Sequence, residues 1–129
     1  MEWIVSPVAR EFEPDMILVS AGFDAADGDP LGGFYLSPGV FARMTKSMME
    51  AAPEGKLVLA LEGGYNVPVT ADCVSECTKV LMGGDPPQQL LAGPHEDVTD
   101  LDVSNLRKIA GRLREFWPCV PESAPSRGA

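Results

Sequence analysis

Two short apolar runs, Met16-Ile17-Leu18-Val19-Ser20 and Leu57-Val58-Leu59-Ala60-Leu61, constrain the fold of this chain more than any other feature. Continuous apolar runs of this length suit strands of a parallel sheet, whose two faces are both covered. The stretch between them reads as a helix. Ser37-Pro38 places a capping hydroxyl before a proline at the first helical position. Val40, Phe41, Met44 and Met48 then recur at helical spacing, and the Pro53-Glu54-Gly55 turn ends the element. Met44, Met48 and Met49 read as core filler. Strand, helix, strand is one βαβ unit, so the strands should run parallel with a right-handed crossover.

Parallel strands put both carboxyl ends at one edge of the sheet, where open α/β proteins bind ligands. The first run leads into a long glycine-rich loop, Ala21 to Ser37, with Gly22, Gly28, Pro30, Gly32 and Gly33. The second breaks at Glu62-Gly63-Gly64-Tyr65-Asn66. The loops holding Asp24 and Tyr65 should therefore emerge together. A second helix is expected over Thr70 to Met82, stopped by Gly83-Gly84, followed by a Pro/Gly-rich connector from Asp85 to Pro94. A third helix should begin near Thr99, where Thr99 and Asp102 have capping-box-like spacing. Its apolar face would carry Leu106, Ile109, Leu113, Phe116 and Trp117. Residues 1–117 form the domain portion and 118–129 an irregular tail. Two parallel strands do not make a stable sheet on their own, so the residues describe a piece of a larger α/β domain.

The 129 residues suffice for one domain, and 45% hydrophobic with 22% charged is ordinary for a soluble globular protein. The net charge of −9 is uneven: residues 1–102 hold 5 Lys or Arg against 17 Asp or Glu. An acidic body disfavours direct nucleic-acid binding and attracts cationic peptides. No apolar run approaches the ~18 residues of a membrane span. The N-terminus lacks the basic flank and long apolar stretch of a secretory signal, and three cysteines fit a reducing compartment. The expected location is not extracellular.

Few residues could carry chemistry. Asp24 follows the first strand closely, where a carboxylate can bind a metal or act as a base, or simply cap a loop. Asp27 and Asp29 read as turn residues; with Asp24 they resemble a calcium loop only loosely, lacking its closing Glu. Tyr65 follows two glycines and could either hydrogen-bond a developing oxyanion or pack over the sheet edge. Glu62 could cap local backbone groups. His95, in the proline-rich connector, reads as a surface histidine. Cys73 and Cys77, four apart on a helix, read as buried free thiols because further zinc ligands are missing.

The segment Pro14-Asp15-Met16-Ile17-Leu18-Val19-Ser20-Ala21-Gly22-Phe23-Asp24-Ala25-Ala26-Asp27-Gly28-Asp29-Pro30-Leu31-Gly32-Gly33 resembles the late catalytic-domain segment of class II histone deacetylases. Leu59-Ala60-Leu61-Glu62-Gly63-Gly64-Tyr65-Asn66 resembles that family's second late motif, at the expected distance. The resemblance runs from about residue 3 to residue 91, more loosely in the terminal helix. It implies the C-terminal part of an arginase/deacetylase-like α/β parallel-sheet domain with one catalytic zinc (Zn2+). Asp24 would be one zinc ligand, and Tyr65 the hydroxyl that polarises the acetyl carbonyl. Leu31 would sit at the rim of an acetyl-lysine tunnel, with Gly63 and Gly64 forming the turn that aims the tyrosine.

The family's other zinc ligands and its tandem histidines lie earlier in the domain, and His95 matches none of them. The resemblance therefore implies part of a zinc-dependent lysine deacetylase, inactive as an isolated chain. Its substrate would be an acetyl-lysine peptide or histone tail, its setting nuclear or cytoplasmic, and its partner a corepressor complex. Two alternatives stand beside it: a non-catalytic interaction module from a truncated paralogue, and an acetylpolyamine amidohydrolase relative.

Overall fold

The structure, a computed structural model, describes residues 1–87 and 100–123. The elements run α1 (Val5–Phe12), β1 (Ile17–Ala21), α2 (Pro38–Ala51), β2 (Leu57–Leu61), α3 (Val67–Leu81) and α4 (Asp100–Leu113). β1 and β2 pair in parallel, in register from Ile17 opposite Leu57 to Ala21 opposite Leu61. The βαβ unit expected from the two apolar runs is therefore present.

The pleat divides the strand side chains between two faces. Val19, Ala21 and Leu59 pack beneath α2 and α3, in a core with Phe23, Phe41, Cys73 and Cys77. The opposite face is open: Leu18 is 71% exposed and Val58 48%. Apolar runs predicted cover on both faces, and these residues supply it on one. Within the core the rings of Phe23 and Phe41 meet edge-on at 5.1 Å, a contact worth about 0.5–1.5 kcal/mol beyond area burial.

Ser37 stands in extended conformation before Pro38, so α2 starts where proline's fixed φ suits the first turn. α3 begins at Val67, three residues ahead of the expected Thr70. The reason is local: the Asn66 side chain accepts from the Val69 N–H, and Pro68 sits in the first turn.

Cys73 and Cys77 are free and buried, as their helical spacing suggested. Burial pushes the Cys73 thiol up to about 11 from 9.0 and raises that of Cys77 as well. A raised folded-state pKa stabilises the fold below the unfolded value, and this contribution is lost as pH rises. Urea midpoints should therefore fall between about pH 9 and 11, and the fall should shrink in Cys73→Ala.

Helix α1 is absent from the expectations. Pro7 falls in the first turn, where its missing N–H costs no helical bond. Trp3, Ala110 and Val120 form a second buried cluster that joins this end of the chain to α4 and the irregular segment after it. The Trp3 indole donates to the Pro121 carbonyl at 3.1 Å, and the Cys119 N–H donates to the Glu11 carboxylate at 3.0 Å.

The buried face of α4 differs from expectation. Ala110 is fully buried, with Leu113 and Trp117 packed beside it, while Ile109 is 49% and Phe116 75% exposed. Ala110 meets Trp3 and Val120, so that side of the helix is covered and the side carrying Ile109 is not. His95 and Thr99 lie outside the described residues, and with them the surface-histidine and capping-box expectations. Among the described residues, no helix is long and apolar enough to cross a membrane.

Candidate active site

The site begins where the strand pairing ends. The Glu62 N–H donates to the Ala21 carbonyl at 3.1 Å, and the Phe23 N–H to the Gly63 carbonyl at 2.8 Å. These bonds carry the pairing past both strands, so the two loops leave the sheet side by side. The buried Phe23 ring anchors the first loop in the core immediately before Asp24.

The Asp24 carboxylate lies between the loops. A Cβ at Gly63 would stand 2.8 Å from its Oδ2, and one at Gly22 3.3 Å from its Oδ1. A side chain at Gly63 would displace the carboxylate, and one at Gly22 would crowd it. Gly64 has a φ of +138° and its Cβ would fall 2.6 Å from the Thr70 hydroxyl, so the turn before Tyr65 excludes other residues on both counts. The Tyr65 side chain beyond it is 59% exposed and that of Leu31 70%. Topology thus brings Asp24, Leu31, Gly63, Gly64 and Tyr65 to one edge.

Sequence reasoning assigned Asp29 to a turn, which is half of its environment. Its Oδ1 accepts from the Leu31 N–H at 2.8 Å and the Gly32 N–H at 3.1 Å, an ordinary Asx turn. Its Oδ2 accepts from the Tyr65 N–H, 36 residues away, at 2.7 Å. Burial alone would raise this carboxyl, but the N–H groups of Tyr65, Leu31, Gly32 and Asn66 hold it below the ordinary Asp value. The Asp-x-Leu-Gly spacing signals the turn; nothing local signals the bond to the second loop. Nearby, the Asn66 amide donates to the Gly28 carbonyl at 2.9 Å.

Glu62 takes a hydrogen bond from the Ser20 hydroxyl at 3.3 Å. It thus links the strand ends through side chains and not through the backbone cap expected of it.

The histone deacetylase domain profile matches residues 1–81, ending with α3. The chain belongs to the histone deacetylase domain family. It is 41% identical over 119 residues to Histone deacetylase 5 of Arabidopsis thaliana, covering 92% of this chain and 17% of that protein. It is 36% identical over 121 residues to Histone deacetylase HDA1 of Saccharomyces cerevisiae, covering 92% of this chain and 16% of that protein. The solved structure of the histone deacetylase Clr3 matches 99% of this chain and 21% of its own, at 33% identity and a TM-score of 0.81. The HDA15 HD domain crystal structure matches at 33% identity and a TM-score of 0.76, over 92% of this chain and 30% of its own. The arginase/deacetylase fold follows from these structural likenesses. The chain thus spans about a sixth of the length of the relatives Histone deacetylase 5 and HDA1.

The zinc implied by the resemblance can be tested against the side chains. Among the described residues, no three His, Cys, Asp or Glu side chains converge as a metal-holding group. Asp24, Asp27 and Asp29 do not form a calcium loop either: Asp29 is committed to backbone amides. A catalytic zinc takes about three protein ligands, and Asp24 offers one carboxylate. The described residues alone do not fit a zinc centre.

Proposed function

We propose that this chain supplies one wall of a site that hydrolyses N-acetyl-lysine amides in proteins, with the remaining catalytic groups coming from residues outside it. One observation carries this reading. The parallel strand pair brings the Asp24 carboxylate and the Tyr65 loop to the same edge, in a chain of the histone deacetylase domain family.

Each residue then has a physical task. The Tyr65 hydroxyl, on an exposed side chain at the edge, donates a hydrogen bond to the amide oxygen as negative charge gathers there. The Leu31 side chain, exposed on the neighbouring loop, offers apolar contact to the methylene stem of the substrate lysine. Gly63 leaves the space that the Asp24 carboxylate occupies, and Gly64 supplies the turn before the tyrosine. A zinc centre that used Asp24 would draw its other ligands from outside these residues.

The acidity of residues 1–102, 5 basic against 17 acidic side chains, favours a cationic segment such as a histone tail as substrate. A nuclear or cytoplasmic setting and a corepressor partner belong to the same reading, supported by the family alone.

The incomplete ligand set gives a direct expectation. After incubation with zinc and gel filtration, the 129-residue chain should retain far less than one zinc per molecule by elemental analysis, and hydrolyse no acetyl-lysine peptide. One zinc per chain, lost in Asp24→Ala, would contradict the proposed division of ligands.

A further inference from the structure

We propose that Asp29 is a positioning residue that fixes the loop of Leu31 and the loop of Tyr65 to one another through its two carboxylate oxygens. This role rests on the acetyl-lysine site proposed above. An Asx turn needs one side-chain oxygen, and here Oδ1 serves it by accepting from the Leu31 and Gly32 amides. Oδ2 is left over for the other loop and takes the Tyr65 N–H at 2.7 Å. The two oxygens belong to one rigid planar group, so the spacing between the loops is set by the carboxylate itself.

The tyrosine needs such a tie. Its two preceding residues, Gly63 and Gly64, have no side chains to pack, and its ring is largely exposed. A backbone bond at Tyr65 therefore restrains its position where packing does little. The Asn66 amide on the Gly28 carbonyl adds a second tie between the same loops, one residue before Asp29 and one after Tyr65. Its side-chain oxygen at the same time accepts from the Val69 N–H, which joins the pair of loops to the start of α3.

The acceptor chemistry distinguishes two substitutions. A carboxylate only accepts, so it can face amide donors on both sides. In Asp29→Asn one side becomes an NH2 donor, which must confront either the Leu31 turn or the Tyr65 N–H. In Asp29→Ser the hydroxyl can still form the local turn but is too short to reach Tyr65. The serine variant thus separates the turn from the tie.

Amide hydrogen exchange by NMR on the full 129-residue chain reads the tie without any catalysis. In Asp29→Ser the Tyr65 N–H should exchange about tenfold faster, with Leu31 and the β1 amides unchanged. In Asp29→Asn, Tyr65 or Leu31 should lose protection. Should the asparagine variant unfold, the serine variant still decides. Unchanged Tyr65 exchange in folded Asp29→Ser overturns the proposal. The second arm uses a chimera in which this chain replaces the matching segment of a related histone deacetylase. There Asp29→Ser should lower kcat about tenfold with KM little changed, and lower it no further in a Tyr65→Phe background. An equal loss in that background would mean Asp29 acts on stability alone and overturns the positioning role. Full activity of Tyr65→Phe itself would overturn the underlying site reading, by a variant that leaves the Asp29 tie untouched.

Discussion

Phenylalanine at position 65 leaves the fold unchanged and lowers acetyl-lysine hydrolysis by about 10²–10³ in kcat, measured in a polypeptide that carries the completed site. The two halves of this expectation have separate origins. The Tyr65 side chain is 59% exposed and belongs to neither buried cluster, so removing its hydroxyl should shift stability by no more than about 0.5 kcal/mol. The bond to Asp29 comes from the backbone N–H and survives the substitution. What disappears is one donor at the edge where charge develops, an interaction stronger in the transition state than in the ground state. KM should accordingly change little. Parallel measurement of kcat, KM and a urea midpoint checks all three. A variant with wild-type turnover would remove the tyrosine from the chemistry.

Alanine at position 32 has the opposite profile, destabilising the fold by about 3 kcal/mol or more. Its Cβ would stand 1.7 Å from the Asp24 carbonyl oxygen and 2.5 Å from the carbonyl carbon. Both atoms are backbone, so no rotamer change relieves the overlap and the whole Asp24 loop must move. Gly63→Ala provides the contrast, since its nearest contact is the Asp24 Oδ2 at 2.8 Å, the end of a side chain. The carboxylate can swing aside, so Gly63→Ala should cost little stability while displacing Asp24 from its place between the loops. Urea denaturation of the two variants, followed through the tryptophans, should rank Gly32→Ala well below Gly63→Ala. Equal midpoints would mean the loop is looser than this geometry.

These contrasts show which parts of the molecule were legible in the sequence. Strand pairing was legible because apolar runs and turn residues are local signals, and a βαβ unit has one strongly preferred arrangement. That arrangement alone predicted that Asp24 and Tyr65 would share an edge. The start of α3 was misjudged because Asn66 caps the helix from within the glycine-rich motif. α1 is only eight residues long, and the partners that cover it, around α4 and Val120, come from the far end of the chain. The buried face of α4 depended on which neighbours reach it, so the small Ala110 prevailed over the larger Ile109 and Phe116. Asp29 was the hardest case. Its turn is written in adjacent residues, but its bond to Tyr65 exists only once 36 residues have folded back to the same edge.

The proposed wall of a deacetylase site rests on Asp24 and Tyr65 sharing one sheet edge. The most direct measurement places this chain in a related histone deacetylase in exchange for its matching segment. Zinc content and acetyl-lysine peptide hydrolysis are then assayed in the chimera. The chimera should bind one zinc and hydrolyse the peptide, losing the metal with Asp24→Ala and about 10²–10³ in rate with Tyr65→Phe. A folded chimera that hydrolyses the peptide equally well with both residues replaced would contradict the account.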